Sequence, residues 1–241
     1  MNTAFITGAS RGIGHATAKL FIERGWQVIT CARSAPEGAP SGPGWLRHIT
    51  ADLTDADSLD RLVAEALNVL GERPLNALVN NAGQSPKQPN RERLGVLNGD
   101  IAAWREVFEL NFFAGLKLSR GLAASLAKAK GSVVNVTSIA GHMIHPFAGS
   151  AYSCSKAALS ALTREMANEF AAIGVRVNAV APGEIATSMI QPEYEMLIPR
   201  IPMNRMGTAD DVAKAVFYLC SDDAAYVTGS ELWVTGGQHM S

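Results

Sequence analysis

The sequence has little of what marks a membrane-bound, nucleic-acid-binding or disulfide-stabilised protein. No apolar run is long enough to cross a membrane, and 21 Lys and Arg against 22 Asp and Glu leave a net charge of −1, which argues against nucleic-acid and anionic-membrane partners. The three cysteines, Cys31, Cys154 and Cys220, are widely spaced and form no CxxC motif, which argues against a disulfide framework or a metal site. We therefore expect a small-molecule partner, no bound metal and a reducing, cytoplasmic location. The lack of a charged leader with a long apolar core before the first predicted strand favours the same location.

Short β-rich apolar runs instead alternate with longer amphipathic stretches along the 241 residues. No linker rich in Pro, Gly and Ser separates two apolar halves, so we expect one domain over residues 1–241. The apolar runs predict seven strands, at 3–6, 27–32, 45–51, 77–80, 132–136, 175–180 and 232–234. The amphipathic stretches predict helices at 13–24, 56–70, 101–128, 151–172 and 209–220. Because this alternation requires right-handed crossovers, the sequence predicts an α/β fold with a doubly wound, seven-stranded parallel sheet and helices on both faces.

A glycine-rich turn follows the first predicted strand and opens the first predicted helix. Parallel sheets of this kind bind ligands beyond the carboxyl ends of their strands. Glycines let the backbone approach a pyrophosphate, whose charge is met by free amides and the positive end of the helix. The spacing is Gly-x-x-x-Gly-x-Gly rather than the commoner Gly-x-Gly-x-x-Gly, and a tight turn that needs glycine only for its geometry is the alternative. The candidate phosphate-binding residues are Gly8, Ser10, Arg11, Gly12, Ile13 and Gly14.

Tyr152 and Lys156 form a candidate acid–base pair. Positions four residues apart share one face of a helix, so a phenol and an ammonium can lie side by side. A tyrosine has a pKa of about 10, and efficient proton transfer at neutral pH requires this pKa to fall by about three units, which corresponds to roughly 4 kcal/mol. A cation about 4 Å away, at an effective dielectric near 20, supplies about that much. Tyr and Lys at this spacing are also common without any function, so the pair alone leaves both interpretations open.

Further motifs extend over the rest of the chain. They are Asn80-Asn81-Ala82-Gly83, Asn111, Ser138, Pro182-Gly183-Glu184-Ile185-Ala186-Thr187, Val227-Thr228-Gly229 and Gly236-Gly237. Together with the glycine-rich turn and Tyr152-x-x-x-Lys156, they resemble the short-chain dehydrogenase/reductase family along nearly the whole chain, and its 3-oxoacyl-carrier-protein reductase branch most closely. The resemblance implies a Rossmann-like fold, an oxidoreductase that interconverts a carbonyl and a secondary alcohol, and a homotetramer or homodimer. A 3-oxoacyl thioester is one possible substrate, and a non-catalytic, cofactor-binding regulator is the alternative function.

The resemblance also assigns a role to each matching residue. During reduction Tyr152 would donate a proton to the carbonyl oxygen, Ser138 would orient that carbonyl, and Lys156 would lower the pKa of Tyr152 and hydrogen-bond the nicotinamide ribose. Asn111 would hold a water next to Lys156. The rest of the cofactor would contact Asp52, Leu53, Asn81, Ala82, Gly83, Pro182, Gly183, Ile185 and Thr187.

The end of the second predicted strand favours NADP(H). In dinucleotide folds an acidic residue about 20 positions after the glycine turn accepts the 2′-hydroxyl of NAD, whereas an Arg there accommodates the 2′-phosphate of NADP. Here Ala32 occupies the place of the acid, and Arg33 and Ser34 follow it. Arg11 is a second candidate for the same phosphate, because a guanidinium and a phosphate form bidentate hydrogen bonds. NAD(H) is the alternative if both arginines are merely solvated.

The substrate side departs somewhat from the family pattern. Ser138 and Tyr152 are 14 positions apart, one more than is common, and the extra residue falls in the loop at 142–149. We expect His142 and His145 to line the substrate pocket, since a metal site would need at least a third ligand. We also expect the polar segment 84–99 to lie near the mouth of the crevice. Met143, Ile144 and Phe147 are further expected wall residues. A substrate lid and ordinary packing or subunit contact are equal alternatives for Met189, Tyr194 and Met196. We expect Lys87, Arg91 and Arg93 to be solvated loop charges, and contact with an anionic carrier or a coenzyme-A phosphate is the alternative.

Overall fold

The computed structural model describes residues 1–36, 42–88, 92–187 and 192–240, and it has the parallel architecture that the sequence predicts. Its strands are β1 (Thr3–Thr7), β2 (Gln27–Ala32), β3 (Trp45–Thr50), β4 (Ala77–Asn80), β5 (Ser132–Val136), β6 (Arg176–Pro182), β7 (Ile185–Ala186), β8 (Gly207–Thr208) and β9 (Glu231–Val234). Seven of them form one sheet in the order β3-β2-β1-β4-β5-β6-β9, with every neighbouring pair parallel. The short strands β7 and β8, which the sequence did not predict, pair with each other.

The helices are α1 (Gly12–Glu23), α2 (Ala56–Leu70), α3 (Ile101–Phe108), α4 (Ala114–Ala129), α5 (Ser150–Ala171) and α6 (Ala209–Cys220). Asp55, Asp100 and Thr208 cap α2, α3 and α6, because the side chain of each accepts a hydrogen bond from an amide of the first turn. Arg11 at the start of α1 makes no such side-chain bond. The first amides of α1 therefore have no side-chain cap, which is the arrangement that anion-binding helix ends use. No described helix is both long and apolar enough to span a membrane.

The chain is helical over the predicted range 101–128, but this helical stretch contains a π-helical turn that the sequence did not predict. A π-helical turn, Glu109–Phe113, separates α3 from α4. Asn111 lies in this turn and is 3% exposed, and its side chain bonds to the backbone of Gln84. A π-turn shifts the direction of the side chains that follow it, and such turns occur often at functional sites. The apolar periodicity continues through the turn, so the hydrophobic pattern alone does not reveal it.

The two faces of the sheet are covered by different helices. Successive residues of a strand point to opposite faces, so Phe5 and Leu78 pack with side chains of α2, α4 and α5, whereas Ile6 and Val79 pack with side chains of α1 and α6. The strand order changes direction between β1 and β4. In doubly wound sheets the ligand crevice lies at this point, outside the carboxyl ends of the strands.

Candidate active site

A cleft of ≈ 1070 Å³ runs along the carboxyl ends of β1 to β6. It is lined by most of the predicted cofactor residues: Gly8, Ser10, Arg11, Gly12, Ile13, Arg33, Ser34, Asp52, Leu53, Asn81, Ala82, Gly83, Tyr152, Lys156, Pro182, Gly183, Ile185 and Thr187. Ser138 lines it as well. Of the predicted site residues, Gly14 and Asn111 do not line the cleft.

The glycine-rich turn leaves room where a side chain would otherwise stand. Gly8 has a φ of 66°, and a Cβ on it would lie 2.8 Å from Asn81 Nδ2. A Cβ on Gly14 would lie 2.5 Å from the carbonyl oxygen of Gly8, so this glycine lets α1 approach the turn. Gly12 has a φ of 58°, and the space of its missing Cβ faces Thr187 at 3.6 Å. The turn, the uncapped amides of α1 and the length of the cleft together fit a dinucleotide with its pyrophosphate at the helix N-terminus.

At the end of β2 the cleft is lined by an arginine and not by a carboxylate. Ala32 is the last residue of that strand, and the exposed Arg33 and Ser34 follow it. Asp52 after β3 accepts hydrogen bonds from the amide and hydroxyl of Thr54, at 2.9 Å and 2.8 Å. These bonds, and to a lesser extent the charge of Arg33, hold the pKa of Asp52 below its ordinary value. The Asp52 carboxylate is therefore turned toward Thr54.

The turn after β4 is tied to the neighbouring strands by buried polar side chains. Thr7 Oγ1 accepts hydrogen bonds from the amides of Asn81 and Ala82, both at 3.0 Å, and Asn81 Nδ2 donates to the Thr7 carbonyl at 2.9 Å. Asn80 Nδ2 donates to Asn135 Oδ1 on β5 at 2.9 Å. Because these bonds cross from β1 to β4 and from β4 to β5, they hold the floor of the cleft in one arrangement.

Ser138, Tyr152 and Lys156 meet where β5 ends and α5 begins. Tyr152 and Ser138 are hydrogen-bonded through their side chains. Lys156 Nζ donates to the carbonyl of Val136 at 2.6 Å and lies 5.8 Å from the centre of the Tyr152 ring. Lys156 is 3% exposed, and burial lowers its pKa from 10.5 to about 8. The side chains that the sequence predicted as a pair are thus neighbours on one face of α5.

The resemblance implied that Lys156 lowers the pKa of Tyr152, but in the protein without cofactor this pKa is raised. Burial raises this pKa, the hydrogen bond with Ser138 lowers it in part, and the charge of Glu184 raises it further. The physical reason is that burial disfavours the charged phenolate more than the ammonium of Lys156 can favour it. That ammonium is directed at the Val136 carbonyl, and burial lowers its own pKa. Tyr152 therefore holds its proton at neutral pH and can donate it.

Asn111 supports the wall of the cleft from behind. Its Oδ1 accepts a hydrogen bond from the amide of Gln84 at 2.9 Å, and its Nδ2 donates to the Gln84 carbonyl at 3.1 Å and to Ser155 Oγ at 3.0 Å. A Cβ on Gly83 would lie 3.3 Å from Asn111 Oδ1 and 3.4 Å from Lys156 Nζ. Asn111 and Lys156 thus both lie against Gly83, and the π-helical turn connects α5 to the segment after β4.

The loop after Ser138 contributes only one of its two histidines to the cleft. His145 lines it, whereas His142 Nε2 lies 3.0 Å from Glu231 and the His142 ring packs against Trp233. The expectation that both histidines form the pocket wall was therefore wrong for His142. Phe147 packs on Tyr194, which does line the cleft. Met143, Ile144, Met196 and Arg93 are absent from the lining, and Met189 and Arg91 lie outside the described residues.

Glu184 lines this end of the cleft, and sequence reasoning gave it no role. It is buried, it lines the cleft, and its Oε1 lies 2.7 Å from His145 Nε2. The available signal was an acidic residue directly after Pro182-Gly183.

The segment 84–87 also lines the cleft, as its predicted position near the mouth implies. In the ranges that the structure covers, no three His, Cys, Asp or Glu side chains are grouped to hold a metal ion.

The chain is similar to known proteins over almost its whole length. A family model described as enoyl-(acyl carrier protein) reductase matches residues 8–239. Protein FixR of Bradyrhizobium diazoefficiens is 53% identical over 98% of this chain and 86% of its own. The 3-oxoacyl-[acyl-carrier-protein] reductase FabG of Haemophilus influenzae is 34% identical over 99% of this chain and 98% of its own. Among solved structures, the chain is similar to a Brucella ovis oxidoreductase of the short chain dehydrogenase/reductase family, which was solved in complex with a partially ordered NAD. The two chains are 45% identical with a TM-score of 0.82, and the match covers 97% of this chain and 99% of that chain.

Proposed function

Because the chain belongs to the short-chain dehydrogenase/reductase family, we propose that it is an NADP(H)-dependent oxidoreductase that interconverts a carbonyl and a secondary alcohol, with Tyr152 as general acid and base. The observation that carries this proposal is that Ser138, Tyr152 and Lys156 meet at one end of a cleft whose other end presents Arg33. When bound, the nicotinamide supplies the hydride for reduction or accepts it in oxidation. The protein handles the proton, so that carbonyl, hydride and proton together give the alcohol.

In reduction, the Tyr152 hydroxyl donates its proton to the substrate oxygen. In oxidation, Tyr152 first releases its proton to water, and the phenolate oxygen then accepts the proton of the alcohol. The raised pKa of Tyr152 keeps the phenol protonated and ready to donate. The Ser138 hydroxyl is hydrogen-bonded to Tyr152, so it also lies within reach of a carbonyl oxygen that Tyr152 protonates. Lys156, held by the Val136 carbonyl, would hydrogen-bond the ribose hydroxyls, and its ammonium lies 5.8 Å from the centre of the Tyr152 ring.

Replacement of Tyr152 by Phe tests the catalytic role directly. The variant should lose about 10²- to 10⁴-fold in kcat, the contribution typical of a general acid, while NADPH affinity measured by fluorescence titration stays within about twofold of the wild-type value. Tyr226→Phe is the matched control, because Tyr226 is fully exposed and lies outside the cleft lining. The assay follows NADPH absorbance with a panel of ketones, sugars, steroids and 3-oxoacyl thioesters, the last being the substrate class named for the Haemophilus relative. Tight NADPH binding without turnover of any compound would favour the non-catalytic regulator.

The cofactor preference is tested at Arg33. Ala32 leaves no acceptor for a 2′-hydroxyl, and the exposed Arg33 favours a 2′-phosphate. NAD(H) is the competing cofactor, since the Brucella relative was solved with NAD. We expect kcat/KM to be at least about tenfold higher with NADPH than with NADH, since a hydrogen bond to a charged group contributes about 1.5–3 kcal/mol. Arg33→Ala should remove most of this difference, and Arg120→Ala, at an exposed position of α4, should not. Equal or better efficiency of the wild type with NADH would contradict the preference.

The assembly and location are proposed on the family resemblance. We expect a homotetramer or homodimer of single-domain chains in the cytoplasm. Size-exclusion chromatography with light scattering measures the number of subunits, and a monomeric mass at micromolar concentration would contradict an oligomer.

A further inference from the structure

A buried carboxylate lies at the substrate end of the cleft. Glu184 follows β6, is 4% exposed and lines the cleft beside Tyr152. Its Oε1 accepts hydrogen bonds from His145 Nε2 at 2.7 Å and from Gln238 Nε2 at 3.2 Å. Within the part of the chain that the structure covers, its Oε2 has no hydrogen-bond partner. This oxygen is accessible from the cleft, so its donor is either water or a bound molecule.

The partners of Glu184 orient it without neutralising its charge. His145 Nδ1 accepts hydrogen bonds from the amides of Phe147 and Ala148, at 3.1 Å and 3.0 Å. A ring nitrogen that accepts carries no proton, so His145 is a neutral imidazole that donates from Nε2. The side-chain amide of Gln238 is neutral as well. Neither partner therefore supplies a positive charge, and the two bonds hold the carboxylate in one position.

The two lysines of the cleft are directed elsewhere. Lys87 Nζ donates to the Phe147 carbonyl and lies over the Tyr194 ring, 5.8 Å from its centre. Lys156 Nζ donates to the Val136 carbonyl. The charge of Glu184 instead acts on phenols, because it contributes to the raised pKa of both Tyr152 and Tyr194. Glu184 thus presents a negatively charged acceptor close to the proposed proton donor.

We propose that Glu184 Oε2 accepts a hydrogen bond from a substrate hydroxyl next to the reacting carbon, so that the site takes hydroxyketones and diols in preference to 3-oxoacyl thioesters. This inference rests on the proposed function, because it names the substrate class of the same site. A hydroxyl donates a hydrogen bond, whereas the carbonyl and thioester oxygens near the reacting carbon of a 3-oxoacyl thioester only accept. Binding such a thioester would bury Oε2 without a donor. A substrate carboxylate at the same place would be repelled by Glu184.

Paired substrates that differ only in hydroxyl groups test this inference. We would measure kcat/KM with NADPH for acetoin against butanone, for dihydroxyacetone against acetone, and for acetoacetyl-coenzyme A. The wild type should prefer the hydroxylated member of each pair by at least about tenfold, and both hydroxyketones over the thioester. Glu184→Gln keeps an oxygen for His145 but places an NH₂ donor at the position of Oε2. In this variant the ratio of kcat/KM between each hydroxyketone and its plain ketone should fall by about tenfold or more, mainly through KM for the hydroxyketone.

Glu195→Gln is the matched control, because it removes a carboxylate at an exposed position outside the cleft lining and should leave both members of each pair unchanged. Equal losses of Glu184→Gln on both members would show that Glu184 only shapes the fold, and a wild-type preference for acetoacetyl-coenzyme A or for the ketones without hydroxyls would overturn the inference. The wild-type comparison needs no variant, so it decides the question even if Glu184→Gln fails to fold.

Failure of the proposed function has a different signature. It would appear as no turnover of any compound by a protein that binds NADPH. In that case calorimetry on the protein–NADPH complex decides the inference: tighter binding of acetoin than of butanone, lost in Glu184→Gln, supports it, and equal binding overturns it.

Discussion

Replacement of Lys156 by Met should make the protein more stable at neutral pH while removing its turnover. Lys156 is 3% exposed, and its ammonium donates to the Val136 carbonyl at 2.6 Å. The fall of its pKa from 10.5 to about 8 means that burying the charged form costs about 3 kcal/mol at pH 7. Methionine has a similar length and removes this charge, but it also removes the hydrogen bond to Val136, which contributes about 1 kcal/mol. The expected gain in the free energy of unfolding is therefore about 2 kcal/mol.

The pH dependence identifies the origin of this gain. Between pH 8 and 10.5 the unfolded chain holds the Lys156 proton and the folded chain does not, so the contribution of this group to stability rises with pH in that window. Below pH 8 the ammonium is charged in both states, and its burial has the full unfavourable effect. Near pH 10 that effect falls to about 1 kcal/mol. The advantage of Lys156→Met over the wild type should therefore disappear as the pH approaches 10.

Urea unfolding of the cofactor-free protein at pH 7 and pH 10 measures both quantities, and the NADPH assay measures turnover. Lys214→Met is the matched control, because Lys214 is an exposed residue of α6, and the change should stay within about 0.5 kcal/mol. If Lys156→Met is less stable than the wild type at pH 7, or if its advantage is the same at both pH values, the buried charge is not what limits stability at this position.

Three further predictions follow from the packing. Gly14→Ala should lower the free energy of unfolding by about 1–3 kcal/mol and weaken NADPH binding, because the added Cβ would lie 2.5 Å from the Gly8 carbonyl oxygen. Thermal unfolding measures the stability and fluorescence titration measures the binding. An unchanged Tm would contradict the close approach of α1 to the turn. Asn111→Ala should reduce stability by about 2–4 kcal/mol, since it removes three hydrogen bonds to the Gln84 backbone and to α5, and a urea midpoint equal to that of the wild type would refute this. Iodoacetamide should label the native protein at the exposed Cys154 alone, because burial raises the pKa of the other two thiols to about 12; a mass increase of more than one label would disprove it.

The strands were predictable because a parallel strand covered by helices on both faces must be apolar along its whole length. All seven predicted strands occur in the main sheet, with bounds that differ by at most two residues. The interruption of the predicted helix at 101–128 was not predictable in the same way. The π-helical turn is accompanied by hydrogen bonds between Asn111 and Gln84, which are 27 positions apart, and no local pattern records a contact of that kind.

The sequence by itself determined the glycine-rich end of the cleft, because Gly8, Gly12 and Gly14 act through the backbone of one contiguous turn. Tertiary structure decided the substrate end. His145 and Glu184 are 39 positions apart, and Glu184 and Gln238 are 54 apart, yet all three side chains are hydrogen-bonded together. His142, three positions before His145, instead lies against Glu231. Which histidine faces the cleft depends on how one short loop packs against β6 and the C-terminal segment. The pattern of residue types along the chain does not record contacts between residues so far apart in sequence.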